Sequence, residues 1–317
     1  MPLEIRRMTK PSRIMSDERI ISGSFSPAAD QEEVSLRPKL LAQFLGQAQI
    51  KENLRVFIQA ARARSESLDH VFFSGPPGLG KTTLAGIIAN ELGVQFRATA
   101  APALRRPGDL AAILTTIGDK NVFFIDEIHR LKPVIEEMLY TAMEDFEIDV
   151  VMGQGPGART IKIPLPPFTL VGATTKTGLV SGPLYSRFGI TTRLDFYTEA
   201  DIQSIIRRSA GILRIQLDEE ACELVAHRAR GTPRVANRLL RRMRDYAQVW
   251  GRGVVDREIV NRGMQALMID ALGLDKLDRD ILKTIIQAYE GGPVGSETLA
   301  ISIGESVDTL EDVYEPY

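Results

Sequence analysis

The segment Gly75-Pro76-Pro77-Gly78-Leu79-Gly80-Lys81-Thr82-Thr83 follows the apolar run Val71-Phe72-Phe73 and leads into a helix-forming stretch. Glycine, four residues, then Gly-Lys-Thr between a strand and a helix is the pattern of a phosphate-binding loop. Its glycines, Gly78 and Gly80 among them, let the main chain wrap a polyphosphate with successive N–H groups pointing inward. The following helix adds its positive N-terminal end. Lys81 is then expected to reach the β and γ phosphates and the Thr82 hydroxyl to ligate Mg²⁺, with Thr83 completing the cradle. This part of the chain is committed to a strand–loop–helix unit that binds a nucleoside triphosphate.

The rest of the composition narrows the setting. With 317 residues there is room for two or three domains, and 44% hydrophobic with 25% charged residues describes a soluble globular protein. No apolar run approaches the roughly 18 residues of a membrane span. The polar stretch from Met1 to Ser35 lacks the apolar centre of a signal peptide, so a cytoplasmic location is expected. A single cysteine, Cys222, excludes an internal disulfide and reads as a packed helix residue. Net charge is −2, yet Arg230, Arg234, Arg238, Arg241, Arg242, Arg244 and Arg252 crowd one stretch. Such a helix either binds phosphate or forms a solvated face paired with acids, and charge alone does not separate the two.

Residues 1–35 carry no periodicity and read as a flexible leader. Gln49–Ala63 has helical spacing. Short apolar runs at Val71–Phe73, Phe96–Thr99, Val122–Ile125, Thr169–Ala173 and Arg193–Phe196 alternate with helical stretches at Thr83–Leu92, Gly108–Thr116 and Val134–Glu144. That alternation predicts an α/β fold, a parallel sheet with helices on both faces. Residues 148–164 interrupt it as two strands around Gly153–Gly157, a β-hairpin that either docks another protein or folds onto its own domain. After Tyr197 the pattern is helical. Thr198-Glu-Ala-Asp201 forms a capping box, Asp218 is expected to cap Glu219–Ala229, and Thr232-Pro233 to open the next helix. From about Asp270 three short helices read as the front of a winged-helix unit. The expected division is 36–197, 198–269 and 270–317.

Val122-Phe-Phe-Ile125-Asp126-Glu127 is an apolar strand ending in two acids. Downstream of a phosphate loop, Asp126 is expected to hold Mg²⁺ and Glu127 to polarise the water that attacks the γ phosphate. His129 reads as a loop or contact residue. Leu170-Val-Gly-Ala-Thr174-Thr175 ends another buried strand with hydroxyls, and Thr175 is expected beside the acids. Arg187, just after a turn, suits a protein surface from which it would stabilise transition-state charge across a subunit boundary. Arg234, at the start of a helix, would reach the phosphates within its own chain.

In this order the motifs resemble the AAA+ ATPases and, more closely, the RuvB family of Holliday-junction branch-migration motors. The likeness runs through Leu36-Arg-Pro, Gly46-Gln47, Leu68-Asp-His-Val71, the phosphate loop, Pro107–Leu114 and Phe124–Leu131. It continues through Met143-Glu-Asp-Phe146, Phe168–Thr175, Arg187-Phe-Gly-Ile190, Asp195-Phe-Tyr197, Arg230–Arg234, Gly291–Gly295 and Val313–Tyr317. The resemblance implies ATP with Mg²⁺ as cofactors, Leu36 and Arg37 at the adenine, and Glu144, Asp145, Phe146 and Tyr197 near the nucleotide. It implies Thr175 as first sensor, Arg187 as arginine finger and Arg234 as second sensor. It further implies a homo-hexameric ring that pumps duplex DNA at four-way junctions, bound to RuvA through hairpin 148–164 and followed by the RuvC resolvase. Tyr185 stands where the family has arginine, and Ala100-Ala101 where it has Ser-Gly. The motifs stop at Tyr317, ahead of the family's arginine-rich wing, which implies an incomplete winged helix and a weak grip on DNA. A protein-remodelling ATPase not acting on DNA is the alternative. It calls for an aromatic-hydrophobic pore loop, where this chain reads Ala103-Leu-Arg-Arg-Pro-Gly108.

Overall fold

In the computed structural model, residues 36–152 and 159–315 are described. The expected leader, the turn of the hairpin at 153–157 and the last two residues lie outside them. Strands β1 (Val71–Ser74), β2 (Phe96–Ala100), β3 (Val122–Asp126), β6 (Thr169–Thr174) and β7 (Ile190–Arg193) form one sheet in the order β2-β3-β6-β1-β7. All four pairings are parallel. Alternate strand residues point to opposite faces, which explains the apolar runs without polar alternation. Val71, Phe73, Val122 and Phe124 pack on one face with Leu84 and Ile88, whereas Phe72, Phe123 and Ile125 pack on the other with Leu110, Ile135 and Leu139. Helices α1 (Ala48–Arg64) and α2 (Lys81–Leu92) cover the first face, and α3 (Pro107–Leu114) and α4 (Pro133–Glu144) the second. The central strands β3, β6 and β1 are buried on both sides and have no solvent face to carry polar residues, whereas the edge strand β2 is mostly exposed.

The strand expected at Arg193–Phe196 lies earlier, at Ile190–Arg193. Ile190 pairs with Val71 and Arg193 with Ser74. Leu194 N still donates to Ser74 O at 2.8 Å, but β1 then turns into the phosphate loop and offers no further partner. A strand can be only as long as the neighbour it bonds.

The hairpin strands β4 (Glu147–Met152) and β5 (Arg159–Pro164) pair antiparallel. Ile148 is fully buried against the second face, with Val150 and Ile163 packed beside it, whereas Ile161 is exposed. The base of the hairpin therefore folds onto its own sheet, and further out the same face carries an exposed apolar residue.

A short helix α5 (Gly182–Ser186) precedes β7, and α6 (Glu199–Leu213), α7 (Glu219–Arg228), α8 (Pro233–Trp250) and α9 (Arg257–Ala266) follow it. Thr198 Oγ1 accepts from Asp201 N at 3.2 Å, as the capping box predicts. Two other expected caps differ, since neither Asp218 nor Thr232 caps its helix through its side chain. Thr232 is fully buried instead, and the first turn of α8 is met by the phosphate loop. Cys222 is buried in α7, and burial pushes its thiol up to about 11.

The arginine-rich stretch is not an open basic face. Arg238 and Arg241 are buried in α8, Arg242 and Arg244 both pair with Asp245, and Arg230 pairs with Asp278. Beyond α9 come α10 (Lys276–Ala288), α11 (Ser296–Ile303) and helical turns over 307–314, around a small core of Leu299, Ala300 and Leu310.

Candidate nucleotide site

The phosphate loop crosses from β1 to α2 at the carboxyl edge of the sheet. Gly75 has φ +132°, and a Cβ there would stand 2.3 Å from the Leu194 carbonyl oxygen, so only glycine fits beside β7. Gly78 has φ +80°, and its Cβ would meet Thr232 Cγ2 at 2.9 Å and Arg234 Cβ at 3.1 Å. Arg234 N donates to Gly78 O at 3.4 Å. The lid helix α8 thus sits directly on the loop, which brings Arg234 to the cradle. Sequence distance hides this contact, and the signal that could have found it is the glycine itself, which leaves room for a neighbour.

Lys81 is buried and donates to the carbonyls of Gly75 at 2.7 Å and Pro76 at 2.9 Å. Burial holds its ammonium below the ordinary lysine range, while Glu127 and Asp126 act in the opposite direction. Thr82 and Thr83 lie in the first turn of α2, half-buried. Tyr197 donates its hydroxyl to Leu79 O at 3.0 Å and packs near Gly80 and Gly46, and burial pushes its phenol well up. Phe44, unremarked in the sequence, packs 3.2 Å from where a Gly80 Cβ would be. Leu36 is buried, and its carbonyl accepts from Arg208 on α6 at 2.7 Å. Arg37 beside it is half-buried.

β6 lies between β3 and β1, so the acids and the terminal threonines meet at one edge. Glu127 Oε2 accepts from Thr175 N at 3.2 Å and from Thr175 Oγ1 at 3.1 Å. Glu127 has φ +49°, a conformation that costs a non-glycine residue strain and is held by its surroundings. Asp126 Oδ1 accepts from Glu127 N at 3.1 Å, and burial, with the neighbouring Glu127 charge, raises its carboxyl above the usual range. A half-buried carboxylate ending β3 and the Thr82 hydroxyl in the first turn of α2 offer hard oxygen donors. That set suits Mg²⁺ shared with phosphates and water, and a bound ion there would neutralise charge on the phosphates.

The remaining candidates gather at the opposite edge. Arg187 follows α5, with Nη1 donating to Pro183 O at 2.7 Å and its guanidinium 4.5 Å from the Tyr140 ring. Its Nε stands 3.1 Å from Glu144 Oε1. Phe146 packs on His70 and Phe168, the residues just before β1 and β6. Asp145 closes α4 between them. A strand the length of β1 spans about 13 Å, so within one chain Glu144, Asp145, Phe146 and Arg187 meet one another and not the phosphate loop.

Three family models match nearly the whole described span. The Holliday junction DNA helicase RuvB P-loop domain matches residues 36–194, the RuvB AAA lid domain 197–270 and the RuvB C-terminal winged helix domain 271–317. The chain belongs to the RuvB family. The Holliday junction branch migration complex subunit RuvB of Treponema denticola is 62% identical over 303 residues, 96% of this chain and 88% of that protein. Its counterpart in Pediococcus pentosaceus is 54% identical over 304 residues, 96% and 90% of the two chains. The solved Thermotoga maritima RuvB Holliday junction branch migration motor has a TM-score of 0.82 and 50% identity, over 89% of this chain and 90% of that one. The architecture is accordingly an AAA+ P-loop domain with a parallel sheet, a helical lid and a winged-helix domain. The P-loop domain binds nucleotide. Among the described residues no helix is long and apolar enough to cross a membrane.

Proposed function

We propose that this chain is the ATP-hydrolysing motor of Holliday-junction branch migration, a AAA+ helicase of recombination and repair. Lys81, Thr82, Thr83 and the loop amides hold the triphosphate of ATP, and Thr82 with Asp126 holds Mg²⁺. Glu127 polarises the attacking water, Thr175 orients Glu127, and Arg234 senses the γ phosphate from the lid. Leu36, Arg37 and Tyr197 border the adenine side. The working division is 36–197 for the motor, 198–269 for the lid and 270–317 for the winged helix. The motor acts in the cytoplasm on duplex DNA at four-way junctions, with RuvA docked on hairpin 148–164 and RuvC resolving the product.

The separation of Arg187 from the phosphate loop carries the assembly reading. A guanidinium at one edge of the sheet and a phosphate cradle at the other form a head-to-tail pair of surfaces, which closes into a ring when the rotation closes. Six copies make the proposed ring, and Arg187 with Glu144, Asp145 and Phe146 faces the neighbour's nucleotide. A finger of this kind is worth on the order of 10³-fold or more in rate.

The test mixes Arg187→Ala subunits with the parent and measures ATP turnover on a synthetic four-way junction with RuvA present. Loss of activity steeper than the mixing ratio is expected, together with junction-stimulated turnover by the parent. Activity strictly proportional to the parental fraction would show that the site is not shared.

A further inference from the structure

Among the described residues, the polar groups around the Glu127 carboxylate gather on one of its oxygens. Oε2 accepts from the Thr175 amide at 3.2 Å and hydroxyl at 3.1 Å, and His129 Nδ1 stands 3.2 Å from that atom. His129 lies in the tight turn Ile128–Arg130 directly after β3, and its side chain is 5% exposed. Its Nδ1 also meets Thr174 Oγ1 at 2.7 Å, and that hydroxyl oxygen accepts from Lys176 N at 3.0 Å. An ionised carboxylate offers only acceptors, so the imidazole nitrogen facing it carries the proton. This tautomer is assigned from the network. Nδ1 bonds the Thr174 hydroxyl at 2.7 Å with Oε2 close beside it at 3.2 Å, so the imidazole ties the turn after β3 to the end of β6 next to the carboxylate.

We propose that His129 is a positioning residue for ATP hydrolysis, pinning Oε2 of Glu127 so that Oε1 is presented to the attacking water. The proposal rests on the reading of Glu127 as the group that polarises that water. Thr175 approaches Oε2 from the end of β6, and His129 approaches it from the turn after β3. Donors from two directions fix the terminal torsion of the carboxylate, which a single partner leaves free to rotate. Glu127 needs that support, because its main chain already sits in the left-handed region and its side chain is part-exposed. A base must stay within hydrogen-bond reach of its proton, and a displacement of about 1 Å costs up to about 100-fold in rate.

His129 lies in the turn after β3, outside both the phosphate loop and the helices after β7, so its loss should act on the chemical step and not on nucleotide binding. Asparagine places an amide N–H where Nδ1 stands, glutamine places it one bond further out, and leucine keeps bulk without a donor. The experiment measures kcat and KM for ATP, with affinity for a slowly hydrolysed ATP analogue, in His129→Leu, His129→Asn and His129→Gln. Expected are a fall in kcat of about 10- to 100-fold for His129→Leu, KM and analogue affinity within about twofold of the parent, and recovery of most of kcat in His129→Asn. Parental kcat in His129→Leu would overturn the proposal, as would a loss of analogue affinity matching the loss of kcat. If His129→Leu does not fold, the comparison of His129→Asn with His129→Gln decides, with the asparagine variant expected faster and equality counting against the proposal. A Glu127→Gln control separates the two readings. Turnover surviving in that control removes Glu127 from its role, whereas a dead control with an active His129→Leu removes only His129.

Discussion

Gly78→Ala is the substitution that most directly probes how the lid is coupled to the cradle. The added methyl would stand 2.9 Å from Thr232 Cγ2 and 3.1 Å from Arg234 Cβ, in a backbone position with φ +80°. The left-handed conformation costs an alanine about 1–2 kcal/mol. Thr232 is fully buried and cannot swing aside, so the contact adds overpacking of about 1–3 kcal/mol. The cheapest relief is for the N-terminus of α8 to withdraw from the loop, breaking the bond from Arg234 N to Gly78 O and carrying Arg234 away from the cradle where it is proposed to meet the phosphates. A penalty of about 2 kcal/mol, the low end of the sum, weakens ATP binding by about 30-fold when binding requires the docked lid. Titration with a fluorescent ATP analogue reads this, and urea unfolding reports the stability of the free chain alongside it. Thr232→Ser removes Cγ2 while keeping the hydroxyl, so the double variant should recover part of the affinity, with a coupling of about 1 kcal/mol. Gly78→Ala binding within twofold of the parent, or no recovery in the double variant, would refute the steric argument.

Three further outcomes are expected. Glu127→Gln should bind ATP as the parent does and lose turnover by about 10²- to 10⁴-fold, and equal hydrolysis rates would remove Glu127 from catalysis. His70 accepts from Leu170 N at 2.9 Å and meets Met143 O at 3.1 Å, and burial holds its pKa below the usual histidine value. Its stabilising contribution is therefore present above about pH 6.5 and lost as pH falls through the depressed folded value, at up to about 1.4 kcal/mol per pH unit. Urea midpoints measured down this range should fall less steeply in His70→Gln, and identical slopes would contradict the assignment. Ile161→Asp, exposed on the same hairpin face as Ile148 and Val150 but further from the base, should weaken RuvA binding by tenfold or more, of order 1.4 kcal/mol, while sparing basal hydrolysis. Pull-down with unchanged RuvA recovery would count against that surface.

Much of the site was readable because its signals are local. The glycines and Lys81, the apolar strand ending in Asp126-Glu127, and the cap at Thr198 each follow from neighbours within a few residues. Backbone hydrogen bonding and side-chain periodicity act over that range. Cys222 was readable for the same reason, as an apolar helix position that the structure buries.

The arginines of α8 were not readable in this way. Charge density is a local property, but whether Arg238 and Arg241 face solvent depends on which elements close over the helix. The same holds for Thr232, whose cap role yields to a loop 154 positions earlier in the chain, as the numbers of Gly78 and Thr232 show. One amide of that helix's first turn, Arg234 N, is met by Gly78 O, a partner supplied only by folding.

By itself the sequence determined that a triphosphate cradle, a pair of acids and a hydroxyl-tipped strand exist, and that they sit on alternating strands and helices. Thr175 was expected beside the acids, but only the tertiary structure decided the contacts themselves: β6 lies between β3 and β1, which sets Thr175 on Glu127 and Thr174 on His129 and leaves Arg187 at the far edge of the sheet. The reason is that hydrophobic alternation specifies that strands are buried but not their order, and the order is what places residues distant in the chain within hydrogen-bonding reach.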